Sequence, residues 1–96
     1  MSLHLLPNAK ATIILVDDEP MVLKMLQTFL TSQDYSVICA SGGQEALSII
    51  EQQQYAIDLL ITDIRMPDMN GIRLLEAVRQ LLPSLPVLLT TAYNDF

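Results

Sequence analysis

Thr12-Ile13-Ile14-Leu15-Val16-Asp17-Asp18-Glu19-Pro20 is the stretch that decides the fold. Its β-branched and aliphatic opening, with no polar alternation, predicts a strand covered on both faces, the pattern of a parallel sheet. Three acids follow at once, and then Pro20, whose fixed φ and missing N–H suit the first turn of a helix. Val22, Met25, Leu26, Phe29 and Leu30 recur at spacings of three and four, which predicts a helix with those side chains inward, ending near residues 32–34.

The same alternation continues downstream. Residues 35–40 form a second short apolar run. Ser41-Gly42-Gly43-Gln44 then reads as a turn, and the spacing of Ser41 and Gln44 predicts a capping box at the start of a second helix lined inside by Ala46, Leu47 and Ile50. Residues 57–62 give a third strand, interrupted only by Asp58, which delivers Asp63 to its C-terminal end. A loop follows with Pro67, Asn70 as a helix cap, and Gly71. Ile72, Leu75, Val78, Leu81 and Leu82 mark a third helix that Pro83 stops, and residues 86–91 give a fourth strand, after which residues 92–96 read as the start of another helix. The order βαβαβαβ, with crossovers long enough for helices, predicts an α/β domain with right-handed connections. The expected architecture is flavodoxin-like: a doubly wound parallel sheet in strand order 2-1-3-4. Residues 1–11, with Pro7, Asn8 and the lone His4, show no periodicity and are expected to form an N-terminal tail, leaving residues 12–96 as the domain.

Composition narrows the function. The 96 residues suffice for one small core, and 51% of them are apolar against 17% charged, which suits a packed unit rather than a disordered segment. A net charge of −6 lacks the basic footprint that nucleic acid or anionic lipid requires, so direct nucleic-acid binding is not expected. The apolar runs are too short to span a bilayer, and there is no basic-then-apolar leader at the start, so a cytoplasmic, non-membrane location is expected. Cys39, the only cysteine, cannot form an internal disulfide and reads as a small buried hydrophobe.

The acids carry the chemistry. Asp17, Asp18 and Asp63 fall just past the C-terminal ends of the first and third strands, where ligands bind in open α/β sheets. Those strands are adjacent in the order 2-1-3-4, so the carboxylates converge. Like charges in one crevice repel unless a cation joins them, and an all-oxygen cluster suits a hard ion such as Mg²⁺. Mg²⁺ commonly combines one or two carboxylates with phosphate oxygens, which points to phosphoryl transfer. Asp63 ends its strand singly and is the expected nucleophile, whereas Asp17 and Asp18 form a pair suited to ion and water ligation. Thr90 and Thr91 bring hydroxyls to the same rim, and strand alternation lets only one of them face it. Each signal has a plainer reading. Acids at a helix start complement its dipole for about 0.3–1 kcal/mol, an Asp before a loop is often a turn residue, and Thr favours strands. Their joint placement is what makes the case.

These residues resemble a known family over the chain from about Thr12 onward. Residues 14–20 resemble the first-strand acidic motif of response-regulator receiver domains. Residues 63–71, with the Met66-Pro67 pair and Gly71, resemble their phosphoacceptor signature, and residues 86–92 resemble their fourth strand. The resemblance implies a phosphorylation-activated switch of a two-component system rather than an enzyme. It implies that Asp63 takes phosphate from a histidine kinase or phosphotransfer protein, that Asp18 and the Arg65 main-chain carbonyl ligate Mg²⁺ with Asp63, and that Asp17 acts through water. Thr91 matches the switch hydroxyl, Arg65 and Tyr93 flank the site, and the output is relayed to another domain or protein.

Members of the family continue through a fifth strand bearing a lysine and a last helix, both absent from these residues. The sequence is therefore expected to be a fragment of a longer protein, with pairing to a second copy as the alternative way to cover the apolar edge of the fourth strand. Two other functions compete with this one. A Mg²⁺-dependent phosphatase needs a general acid two residues beyond its nucleophile, where Arg65 stands. An interaction module that takes no phosphate is the third reading.

Overall fold

The computed structural model describes residues 2–4, 6, 8–52 and 56–90. Its centre is β2, Thr12–Val16, which pairs in parallel with β3, Ser36–Ala40, on one side and with β4, Leu59–Asp63, on the other. Beyond β4 lies β5, Val87–Thr90, also parallel. Counted from β2, these strands run in the predicted order 2-1-3-4. One strand was not foreseen: β1, Ser2–His4, adds antiparallel to the outer edge of β3 and completes the order β1-β3-β2-β4-β5. Three paired residues are too short to leave a pattern in the sequence. The Leu6 N–H, donated to the buried Ser36 hydroxyl at 2.8 Å, anchors the segment that follows β1.

Alternation along the strands separates two cores. Ile14, Val16, Ile38, Ala40 and Leu60 face α2, Gly43–Gln52, and α3, Gly71–Leu81, which contribute Ala46, Ile49, Ile50, Leu74 and Val78. Leu15, Val37 and Cys39 face the opposite way, toward Leu23, Leu26 and Leu30 of α1, Pro20–Ser32. Cys39 is buried as expected, and burial pushes its thiol up from the ordinary value. Fully burying a side chain such as Leu60 or Leu74 is worth about 1.5–3 kcal/mol.

The helix ends follow local chemistry. Pro20 sits in the first turn of α1 as predicted, and Glu19, in an extended conformation, supplies the capping position through its carbonyl, which accepts from Leu23. After α1 the chain reverses at Asp34, whose φ of 70° lies in the left-handed region that Asp tolerates better than most residues. Asn70 caps α3 as expected, its side chain accepting the Arg73 N–H at 2.9 Å. At the far end the Arg79 guanidinium donates to the Leu85 carbonyl, fastening α3 to the turn that enters β5.

Three expectations need correction. Met25 and Phe29, predicted to face inward, are 62% and 58% exposed, and the sheet-facing row of α1 is Leu23, Leu26 and Leu30. Periodicity found the helix but not its phase, because the apolar residues extend over more than half of its circumference. The third strand starts at Leu59 rather than residue 57, because Asp58 is engaged with the start of β2: its carboxylate accepts the Thr12 N–H and its own N–H donates to the Thr12 carbonyl. The Ser41–Gln44 capping box does not form. Ser41 donates to Glu45, and the Gln44 N–H goes to Asp68, a residue of the loop between β4 and α3.

Candidate functional site

Because β2 and β4 are neighbours in register, with Val16 beside Thr62, the acids that follow or end them meet at one rim of the sheet. Asp17, Asp18 and Asp63 each offer a carboxylate oxygen, and these oxygens lie within 4.8 Å of one another. Among the described residues this is the one such group of three or more acids, histidines or cysteines.

The three carboxylates are held differently. Asp17 is buried, and one of its oxygens accepts the Glu19 N–H at 2.9 Å across the turn into α1. Burial raises its carboxyl above the ordinary value; the Glu19 N–H works against that shift, and the charges of Asp63, Asp18 and Glu19 add to it. Asp63 ends β4 half-buried, and its Oδ1 lies 3.4 Å from the Arg65 N–H. Its backbone is pinned on three sides. Ile64 N–H donates to the Thr90 carbonyl, the Thr62 hydroxyl donates to the Asp63 carbonyl at 3.0 Å, and Gly71 N–H donates to the Ile64 carbonyl at 2.8 Å. Gly71 is required by this approach: a Cβ there would press on the Asp63 carbonyl and stand 3.0 Å from Ile64 Cα, both backbone atoms that cannot swing away. Below the loop, Met66 is buried in the larger core, with its sulfur 3.9 Å from the Thr62 hydroxyl.

The donor set fits a hard divalent cation. It is all oxygen and it concentrates negative charge, which suits ligation of such an ion.

Of the residues predicted for the site, Asp17, Asp18 and Asp63 come together, and Arg65 lies beside them with its N–H toward Asp63. The Thr90 hydroxyl lies 3.5 Å from the Thr62 carbonyl. Thr91, Tyr93 and the helix expected from residue 92 lie outside the described residues. The sequence places Gly42 and Gly43 in a turn and Asp68 in the loop after Asp63, without pointing to a contact between them. Asp68 accepts the Gly43 and Gln44 N–H groups at 3.3 and 3.0 Å, joining the loop after Asp63 to the start of α2. The adjacent glycines before a helix were the available signal.

Comparison with known proteins agrees with this geometry. The family model described as "Response regulator receiver domain" matches residues 13–96. The transcriptional regulatory protein GlrR of Escherichia coli is 40% identical over 85 residues, which cover 88% of this chain and 19% of that protein. The chain thus spans about a fifth of the length of the curated relatives it matches. Among solved structures, a response regulator receiver domain protein from Clostridium thermocellum superposes with a TM-score of 0.82 at 30% identity, covering 88% of this chain and 68% of that one. The response regulator TrrA of Thermotoga maritima, solved in complex with Mg²⁺ and BeF, gives 0.81 at 32% identity, covering 88% and 71%.

Proposed function

The chain belongs to the response regulator receiver domain family, and from that premise we propose that it is a phosphorylation-activated switch in which Asp63 accepts the phosphoryl group. The observation that carries this reading is the meeting of Asp17, Asp18 and Asp63 at one sheet rim, with their oxygens within 4.8 Å. A carboxylate oxygen of Asp63 attacks the phosphorus of a phosphohistidine on a histidine kinase or phosphotransfer protein. The new O–P bond forms as the P–N bond breaks, and the imidazole nitrogen departs and takes a proton from water. Asp18, Asp63 and the Arg65 main-chain carbonyl would hold Mg²⁺, with Asp17 acting through a water molecule. When bound, that ion supplies neutralisation of the charge that develops on the transferring oxygens.

The chain's own residues do the positioning. Gly71 and the Ile64–Thr90 bond hold the peptide unit that follows the nucleophile, so little reorganisation is needed at the moment of transfer. Thr91 is the proposed switch hydroxyl that answers the phosphoryl group, and the change is passed to an output domain or partner protein. The setting is cytoplasmic; among the described residues no helix is long and apolar enough to cross a membrane. The role is that of a switch rather than a phosphatase, since Arg65 stands where a phosphatase of this type needs a general acid.

The test is intact mass of the full-length protein before and after acetyl phosphate with Mg²⁺, beside Asp63→Asn. The expected result is one added phosphoryl group in the wild type, none in the variant, and none in the wild type with EDTA. A label that persists in Asp63→Asn contradicts the proposal.

A further inference from the structure

We propose that Asp68 is the positioning residue of the acidic site: its carboxylate ties the loop that follows Asp63 to the start of α2 and thereby sets where the Asp63–Arg65 backbone stands. The inference rests on the reading of Asp63 and its neighbours as a Mg²⁺-assisted phosphoacceptor site.

The loop of residues 64–70 leaves the sheet at the nucleophile and must return at Gly71. Its two ends are held by backbone bonds, Ile64 to Thr90 and Gly71 to Ile64. Met66 is anchored by burial, and the polar anchor of the outer half is Asp68, which accepts Gly43 N–H at 3.3 Å and Gln44 N–H at 3.0 Å across more than twenty residues of sequence. The Gln44 N–H leads the interactions that hold the Asp68 carboxyl below the ordinary carboxylate value, although the side chain is exposed.

The opposite wall is shaped for this contact. A Cβ on Gly42 would lie 2.8 Å from the Asp68 carboxylate, and one on Gly43 would lie 2.9 Å from the Met69 side chain. Neither glycine has positive φ, so backbone conformation does not demand them; a side chain at either would displace the Asp68 carboxylate or the Met69 side chain. A carboxylate facing free N–H groups at a helix start makes charge-assisted bonds, stronger than neutral ones. Asp68 touches none of Asp17, Asp18 or Asp63 through any of these bonds and acts on them through the backbone it restrains. A mere helix cap would stabilise α2 and leave ion binding alone. A positioning residue changes ion binding as well.

The experiment measures Mg²⁺ affinity by NMR titration, phosphorylation rate with acetyl phosphate, and amide exchange of residues 64–70 in the full-length protein. The variants are Asp68→Ala, Asp68→Asn and, as a control that disturbs the start of α2 without touching the loop, Ser41→Ala. Asp68→Ala is expected to weaken Mg²⁺ binding roughly tenfold, the lower end for partners that orient metal ligands, to slow labelling and to speed exchange across residues 64–70. Asp68→Asn, which keeps one acceptor oxygen, is expected to fall between, and Ser41→Ala to match the wild type. Unchanged Mg²⁺ affinity in Asp68→Ala overturns the inference, even with faster exchange in α2, and so does an equal loss in Ser41→Ala. A wild type that binds Mg²⁺ but takes no label counts against Asp63 as acceptor and leaves the Mg²⁺ comparison to decide on Asp68. A wild type that binds no Mg²⁺ overturns both.

Discussion

Adding one methyl group to Gly71 brings Cβ against the Asp63 carbonyl and Ile64 Cα, so the backbone of Asp63 and Ile64 must yield. Overpacking of this kind costs about 1–3 kcal/mol. Gly71→Ala is therefore expected to lower the unfolding free energy measured in urea by that amount and to weaken Mg²⁺ binding in the same protein; unchanged values in both would show that the loop relaxes freely. At this scale the sequence was legible where chemistry is carried by residue type. The convergence of Asp17, Asp18 and Asp63 was legible because the strands that they follow or end are neighbours in the order 2-1-3-4. Asp68 was not legible, because it is one more acid in a loop and its meaning depends on Gly43 and Gln44, which only the fold brings near.

Elements were found by periodicity and then adjusted by single bonds. The position of α2 was legible, but its cap was not: the expected Ser41–Gln44 box gives way to a carboxylate from another loop. The phase of α1 was lost for a different reason, since Met21, Met25 and Phe29 continue its apolar surface outside the row that meets the sheet. The cap makes a prediction about pH. The Asp68 carboxyl is held below its ordinary value of 3.8, so its contribution is complete above that value and is lost as pH falls through the lower folded value. Protection factors of the Gly43 and Gln44 amides are expected to be level near neutrality and to fall in that acid window. In Asp68→Ala they should start lower and lack that step; an identical step in the variant would mean that another acid is responsible.

At the scale of the whole molecule, the sheet is covered unequally. Among the described residues two helices close the larger core over one face, and α1 is the helix of the smaller cluster on the other, beside Met21, Met25 and Phe29 at high exposure and Leu88 at 52%. Stability of the chain should follow that division. Leu74→Ala, at a fully buried site, is expected to cost about 2–5 kcal/mol in denaturant unfolding, whereas Met25→Gln should change it by less than about 0.5 kcal/mol. Comparable losses in both would place Met25 in a packed interface. The parallel order and the crossovers were legible because uninterrupted apolar runs alternating with helical spacing admit few topologies; the antiparallel β1 was not, being three residues without pattern. Whether this architecture presents Asp63 to a phosphoryl donor is decided by locating the label. Borohydride reduces an aspartyl phosphate to homoserine, so full-length protein phosphorylated with acetyl phosphate and Mg²⁺ can be reduced, digested and sequenced by tandem mass spectrometry. Homoserine at position 63 is the predicted result; homoserine at Asp17 or Asp18, or a label that survives reduction on a hydroxyl side chain, contradicts the account.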